Sequence, residues 1–206
     1  MKKQILAAIA LVAATFSMNA QTSDFWDRTS LEGSYGFAIP LAPTDNIDAA
    51  DYSSMVNFQG AVHYQIDDLW GVRASYAYHK FENKDFSALG VAYHKFMAEA
   101  TFNVLEAINP ETSTLENKLW EVVAHAGIGG SFATRNMDNA TNKMGNVQIG
   151  LQPMYSISNR VGVFLDATYV VNFNHAYEFD GTFIPGGTTG GYFTTLVGLK
   201  ISLTTK

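Results

Sequence analysis

The histidines are the side chains of this sequence best suited to acid–base or metal chemistry, because their usual pKa lies close to neutral pH. The chain has five: His63, His79, His94, His125 and His175. His125 follows Glu121 by four residues, which on an extended strand is about 13 Å, too far for a catalytic dyad. His79 and His94 would share a metal site only if two strands aligned them.

The carboxylates and glycines give no stronger catalytic pattern. Asp45, Asp48 and Asp51 are spaced three apart, unlike the alternating acids of a calcium loop, and we interpret them as solvated loop residues. The glycine pairs at 186–187 and 190–191 do not precede a predicted helix, so they form no phosphate cradle. A chain without cysteine has no disulfide or thiol chemistry. We therefore predict no catalytic residue, no cofactor and no metal.

The first twenty residues predict a secretory signal peptide. Lys2 and Lys3 precede an apolar run from Ile5 to Phe16, and Ala20 precedes Gln21. The run would rise about 18 Å as a helix, which is short of a bilayer core of about 30 Å. We predict export with cleavage near Ala20. Residues 21–206 then form one domain, as this length allows.

The charge of the exported chain argues against nucleic acid as a partner. The full chain has 13 basic and 19 acidic residues, a net charge of -6. Removing Lys2 and Lys3 with the signal peptide makes the balance more acidic. Affinity for nucleic acid comes largely from basic contacts to phosphate, so we predict no nucleic-acid binding.

Strict alternation of apolar and polar residues is the recurring pattern of the mature chain. It is clearest in segments 56–66, 147–157 and 161–173, where most of the residues at alternate positions are apolar. Such alternation predicts strands with two different faces. We predict eight strands, at 30–40, 54–66, 70–81, 88–105, 119–133, 145–157, 160–173 and 191–203.

The length of these strands decides the fold class. Strands of soluble proteins usually have about 5–6 residues, whereas a tilted strand that crosses a bilayer needs about 9–11. Short connections at 67–69 and 158–159 alternate with longer ones at 41–53, 82–87, 134–144 and 174–190. This pattern predicts an all-β, eight-stranded antiparallel up-and-down transmembrane barrel with long loops outside the cell. Segment 106–118 is an exception, a long connection on the predicted periplasmic side.

Two local features refine the prediction. Aromatic residues gather near the strand ends, and we predict that they anchor the barrel at the two membrane interfaces: Trp70, Trp120, Tyr76, Tyr78, Phe173 and Tyr192. The fourth strand changes the parity of its apolar residues, which predicts a β-bulge near His94 and Lys95.

A soluble eight-stranded ligand carrier is an alternative to the membrane barrel, since alternation does not say which face points inward.

The polar face would fill the lumen, because a barrel of eight strands is only wide enough for its own side chains. Buried charges must be paired. We predict an ion pair between Glu32 and Lys200 across the closing strands, and Arg73 shared between Glu99 and Glu121. The predicted lumen ion-pair network is Glu32, Arg73, Glu99, Glu121, Asp166 and Lys200, with His63, His125, Gln148 and Gln152 beside it. Inward glycines would make room for the long side chains.

Several segments together resemble the OmpA-like N-terminal transmembrane barrel family of Gram-negative outer membranes. They are Asn-Ala-Gln at 19–21, WGVRASYAY at 70–78, HAGIG at 125–129, ISNRVGVFLDATYVVN at 157–172 and YEFDG at 177–181. The resemblance implies an eight-stranded barrel inserted by the outer-membrane assembly machinery. Many members carry a peptidoglycan-binding domain after the barrel, and here only residues 204–206 follow the last predicted strand.

We predict a non-enzymatic integral outer-membrane protein with a structural, envelope-stabilising or surface-interaction role. The predicted partners are outer-membrane lipid and lipopolysaccharide, the assembly machinery during biogenesis, and other envelope proteins. A small porin-like permeation or ligand-binding barrel is the alternative. An enzyme acting on lipids ranks third, because no histidine is followed by the serine of the His-x-Ser arrangement in barrel lipid A deacylases.

Overall fold

The computed structural model of the chain describes residues 23–44, 47–108 and 119–203. Eight antiparallel strands follow one another around a closed barrel, and the last pairs with the first. The predicted fold class is therefore confirmed. The strands are β1 (Thr29–Ala42), β2 (Ser54–Gln65), β3 (Trp70–Glu82), β4 (Gly90–Asn103), β5 (Trp120–Arg135), β6 (Thr141–Ser156), β7 (Val161–Tyr177) and β8 (Phe183–Ser202).

The two ends of the barrel differ in their connections. We call the end with segments 66–69 and 157–160 the turn end, and the end with 43–53, 83–89, 136–140 and 178–182 the loop end. Within the described residues, two short helices, α1 (Ser23–Asp27) and α2 (Val104–Ile108), lie at the turn end. No helix in the described part of the chain is long and apolar enough to span a membrane. The predicted signal peptide with its cleavage site, Asp45, and residues 109–118 of the long connection lie outside the described residues.

The two faces of the sheet follow the alternation of the sequence. In β2, Asn57, Gln59 and His63 are buried in the lumen, whereas Phe58 and Val62 are exposed on the outside. The same holds for β6, where Gln148 points inward and Ile149 outward. Because a strand has a side-chain period of two, one register fixes the face of every residue in it.

The fourth strand has no bulge, so the prediction near His94 and Lys95 is wrong. β4 pairs with β3 and with β5 in an unbroken register. Val91 and Tyr93 are buried and face the lumen, although both residues looked like members of the outer apolar face. The parity of apolar residues changes because the lumen itself becomes apolar toward the loop end.

Two connections predicted as long loops are largely strand. β5 and β6 continue pairing to Thr134 and Thr141, which leaves a turn at 136–140. β7 and β8 continue to Tyr177 and Phe183 beyond two register shifts, so most of segment 174–190 forms a hairpin. Polar and glycine-rich composition indicated loops here, but backbone pairing in a hairpin does not require apolar side chains.

Candidate functional site in the barrel lumen

Arg73 occupies the centre of a buried charged group in the turn-end half of the lumen. Its guanidinium forms two hydrogen bonds with Glu99, from Nη2 to Oε2 at 2.7 Å and from Nε to Oε1 at 3.2 Å. Nη1 reaches Glu32 Oε2 at 3.3 Å, Asp166 Oδ2 at 3.5 Å and Gln152 Oε1 at 2.8 Å. A planar guanidinium with five donors suits such shared contacts better than an ammonium does.

His125 joins two of these carboxylates. Its Nδ1 lies 2.9 Å from Glu99 Oε2 and its Nε2 lies 3.4 Å from Asp166 Oδ2, a geometry in which a doubly protonated ring donates to both. Thr168 donates a hydrogen bond to the other oxygen of Asp166. We call Glu32, Arg73, Glu99, His125 and Asp166 the ion network.

Glycines on neighbouring strands provide the space that the ion network fills. A Cβ added to Gly127 would lie 2.6 Å from Glu99 Cγ, and one added to Gly150 would lie 2.4 Å from His125 Nε2. Real Cβ atoms do not approach other atoms so closely, so these positions require glycine. Gly162 and Gly198 make the same space for Met154 and Phe164, which are apolar rather than charged.

Two predicted members of the network lie elsewhere. Glu32 and Lys200 are direct neighbours in the pairing of β1 with β8, but the carboxylate of Glu32 turns to Arg73. Glu121 is half-buried near the turn end, six residues before Gly127, the cross-strand neighbour of Glu99. Six residues span about 20 Å of strand, so Glu121 cannot share Arg73. Neither Glu121 nor Lys200 forms an ion pair with another described residue.

The loop-end half of the lumen is filled by aromatic side chains. Phe81 packs edge-on against Phe179, Tyr192 and Tyr93 at centroid distances of 4.8, 5.3 and 5.5 Å. Tyr52, from the 43–53 connection, belongs to the same cluster, and burial raises the pKa of its hydroxyl. We call Tyr52, Phe81, Tyr93, Phe179 and Tyr192 the aromatic cluster.

Tyr192 is therefore not a membrane-interface anchor as predicted. It is fully buried inside the barrel, on the same face of β8 as Leu196. Tyr192 and the predicted lumen residue Lys200 are eight residues apart, so an uninterrupted strand must place them on the same face.

The other predicted anchors lie on the outer face. Trp70 and Trp120 are exposed at the turn end, where their rings contact Phe102 and Tyr155 respectively. Tyr76, Tyr78 and Phe173 lie on the outside toward the loop end, Phe173 exposed and the two tyrosines partly so. Whether these rings contact a membrane interface stays a prediction.

Several lumen residues were missed by sequence reasoning. The most notable are Lys95 in the middle of the lumen, and Tyr93, whose hydroxyl bonds His175 Nε2 at 2.7 Å. Strict parity along β4 would have placed both inside, together with Glu99. His79 faces the lumen and His94 faces outward, so the two do not share a site. No cluster of three metal-ligating residues occurs among the described residues.

The barrel resembles solved outer-membrane barrels in fold. Neisserial surface protein A is 13% identical with a TM-score of 0.50, over 84% of this chain and 95% of that one. A major outer membrane protein from Thermus thermophilus is 12% identical with a TM-score of 0.51, over 84% of this chain and 97% of that one. No family model and no curated protein sequence matches the chain. The similarity thus shows the fold, and the resemblance to the OmpA-like family stays a prediction.

Proposed function

We propose that this chain is a non-enzymatic, integral outer-membrane barrel that has a closed lumen and presents an ordered surface at its loop end. The observation that carries the proposal is the distribution of polarity. Charged residues are buried inside the barrel, while every strand exposes a large apolar residue on its outer face. These exposed residues are Leu31, Val62, Val72, Phe96, Ile128, Ile149, Leu165 and Val197. Water-soluble monomers rarely expose apolar patches of more than a few hundred Å², whereas lipid would cover this belt.

The filling of the lumen supports a structural role over permeation. The ion network occupies the turn-end half, and the aromatic cluster occupies the loop-end half. Water or solute would have to displace paired charges and then packed rings to pass. A barrel of this size holds side chains rather than a pore.

The loop end supports a surface role, because its connections contact one another. Arg135 donates a hydrogen bond to the carbonyl of Gly181 at 3.0 Å, and Asn136 donates to the carbonyl of Ser87 at 3.1 Å. Arg135 also bonds Asp138 and thereby lowers the pKa of that carboxyl. These contacts hold the loops in a defined shape that a partner in the envelope or outside the cell could bind.

Cell fractionation combined with gel migration tests the proposal. We expect the chain in the outer-membrane fraction, with lipopolysaccharide, and a folded form that migrates differently from the boiled form. Delivery and insertion would use the outer-membrane assembly machinery. Recovery in the soluble periplasmic fraction would refute the proposal.

Planar-bilayer recording tests whether the lumen is closed, and surface labelling tests whether the loop end faces the outside of the cell. A filled lumen predicts no steady current, and a reproducible conductance would support the porin-like alternative instead. A cysteine replacing exposed Lys84 should react with an impermeant maleimide on intact cells. If a cysteine at Asp68 in the 66–69 turn reacted and one at Lys84 did not, the proposed orientation would be wrong.

A further inference from the structure

His125 is enclosed in the turn-end half of the lumen, and both nitrogens of its ring face carboxylate oxygens. Its side chain is fully buried. Nδ1 lies 2.9 Å from Glu99 Oε2, and Nε2 lies 3.4 Å from Asp166 Oδ2. A neutral imidazole carries a proton on only one of its two nitrogens. In a neutral ring, one of these contacts would therefore bring a nitrogen lone pair against a carboxylate.

Thr168 does not replace the second ring proton. Its Oγ1 lies 3.4 Å from His125 Nε2, but a hydroxyl has one proton to donate, and this proton goes to the nearer Oδ1 of Asp166. Thr168 therefore also faces Nε2 as an acceptor. Gly150, the cross-strand neighbour of His125 on β6, presents no side chain to the ring. Each ring nitrogen thus needs a proton of its own.

The charges of the lumen balance only when His125 is a cation. The other charged and titratable groups in the turn-end half and the middle of the described lumen are Glu32 on β1, His63 on β2, Arg73 on β3, Lys95 and Glu99 on β4, Glu121 on β5, Asp166 on β7 and Lys200 on β8. His63 bonds the hydroxyl of Thr101 through Nε2 and forms no ion pair with a described carboxylate. The four carboxylates then face three cations, and an imidazolium at His125 is the fourth.

We propose that His125 is a proton-binding site: the folded barrel holds its ring as an imidazolium cation above neutral pH, and folding takes up that proton. Releasing the proton from the folded barrel would leave one buried negative charge unmatched, which is costly. The proposal goes beyond the proposed function, because the proton is held inside the barrel and depends on neither a partner nor the orientation in a membrane.

The proposal predicts how stability changes with pH. A histidine in an unfolded chain loses its second ring proton with a pKa of about 6.5. Above that pH, the folded barrel binds one proton more than the unfolded chain does, so the free energy of unfolding falls as the pH rises. The stabilisation is complete below about pH 6.5 and is lost progressively until the folded ring also releases its proton.

Nuclear magnetic resonance of the full chain, labelled with ¹⁵N-histidine and folded in detergent at pH 8, tests the protonation state directly. The shifts of ring nitrogens distinguish protonated from unprotonated atoms. We expect one histidine with both nitrogens protonated, and we expect its signals to be absent from His125→Gln. His94→Gln, at an exposed position on the outer face, is the control and should retain them. If His125→Gln fails to fold, glutamine at each of the other four histidines identifies the signals by exclusion.

An unprotonated ring nitrogen in His125 at pH 8 would overturn the proposal, including the case in which Asp166 holds the proton instead. Urea unfolding between pH 7 and pH 9 gives an independent measurement. One retained proton raises the unfolding equilibrium constant about tenfold for each pH unit. We expect this contribution in the unmodified chain and in His94→Gln, and we expect His125→Gln to lack it. An equal pH dependence in the unmodified chain and in His125→Gln would also overturn the proposal.

Discussion

The turn-end half of the lumen holds the ion network, whereas the loop-end half holds the aromatic cluster, and the two halves are stabilised differently. In the ion network, each carboxylate depends on a specific atom of Arg73 or His125. In the aromatic cluster, rings from β3, β4, β8 and the 178–182 turn contact one another at centroid distances of 4.8 to 6.1 Å. Removing one partner from the first leaves charge unpaired, while removing one ring from the second leaves a cavity.

The two halves of the lumen also differ in how strictly they require particular residues. A buried ion network is stable only when every member is satisfied, and glycines at 127 and 150 are needed to fit it. Aromatic packing accepts substitutions of similar volume at a modest cost. We therefore expect the ion network to tolerate fewer replacements than the aromatic cluster.

Replacing Arg73 with Met should have the largest effect. The change leaves Glu32, Glu99 and Asp166 without their shared guanidinium, and breaking a buried ion pair costs about 3–5 kcal/mol. Urea unfolding of the barrel in detergent, followed by tryptophan fluorescence, measures the loss. Arg73→Lys keeps the charge but cannot form both hydrogen bonds with Glu99. Its unfolding free energy should therefore lie between that of the unmodified chain and that of Arg73→Met. A loss below about 1 kcal/mol for Arg73→Met would contradict this role.

Phe81→Ala should cause the second-largest loss of unfolding free energy, because it removes a ring that contacts three others in the aromatic cluster. Deleting a buried phenylalanine side chain costs about 3 kcal/mol or somewhat more. The matched control is Phe86→Ala, at a loop position that is 66% exposed, where the change should stay within about 0.5 kcal/mol. Equal losses for the two variants, measured by the same urea titration, would show that the cluster is not a packed core.

A pair of tyrosine–histidine hydrogen bonds compares the inside of the barrel with the outside. Tyr93 bonds His175 at 2.7 Å in the lumen, and Tyr76 bonds His94 at 2.8 Å on the outer face. Tyr93→Phe should cost about 1–3 kcal/mol, because it leaves a buried imidazole without that partner. Tyr76→Phe should cost less than half as much, since lipid-interface groups or water can replace the bond. A larger loss of unfolding free energy for Tyr76→Phe than for Tyr93→Phe would contradict the burial of the Tyr93–His175 hydrogen bond.

Glu121→Gln should have the smallest effect, within about 0.5 kcal/mol, because Glu121 lies at the turn end away from Arg73. Glu99→Gln is the matched change inside the ion network, and it removes a charge bonded to both Arg73 and His125. Its loss of unfolding free energy should be several times larger. Similar losses for the two variants would restore Glu121 to the network.

The alternation of the sequence predicts the network residues better than it predicts their contacts. It correctly places Glu32, Arg73, Glu99 and Asp166 in the lumen, because alternation fixes the face of each residue. The predicted second partner of Arg73, Glu121, was wrong, since Gln152 and Asp166 approach Arg73 from across the barrel rather than from a neighbouring strand. The predictions for Tyr192 and for a bulge at His94 were wrong because apolar residues do not face outward along the whole strand.

The strands, their number and approximate length, and the face of each side chain where polarity alternates cleanly follow from short stretches of consecutive residues. These properties are local, because period-two alternation and strand length depend on consecutive residues. The contacts between inward residues, and the place of Lys95 between the charged and aromatic halves, follow instead from the closed barrel as a whole. The reason is that strands in a closed barrel are tilted and staggered, so the height of each side chain is set by the whole sheet. Arg73 and Asp166 are 93 residues apart and meet because eight strands close the circle.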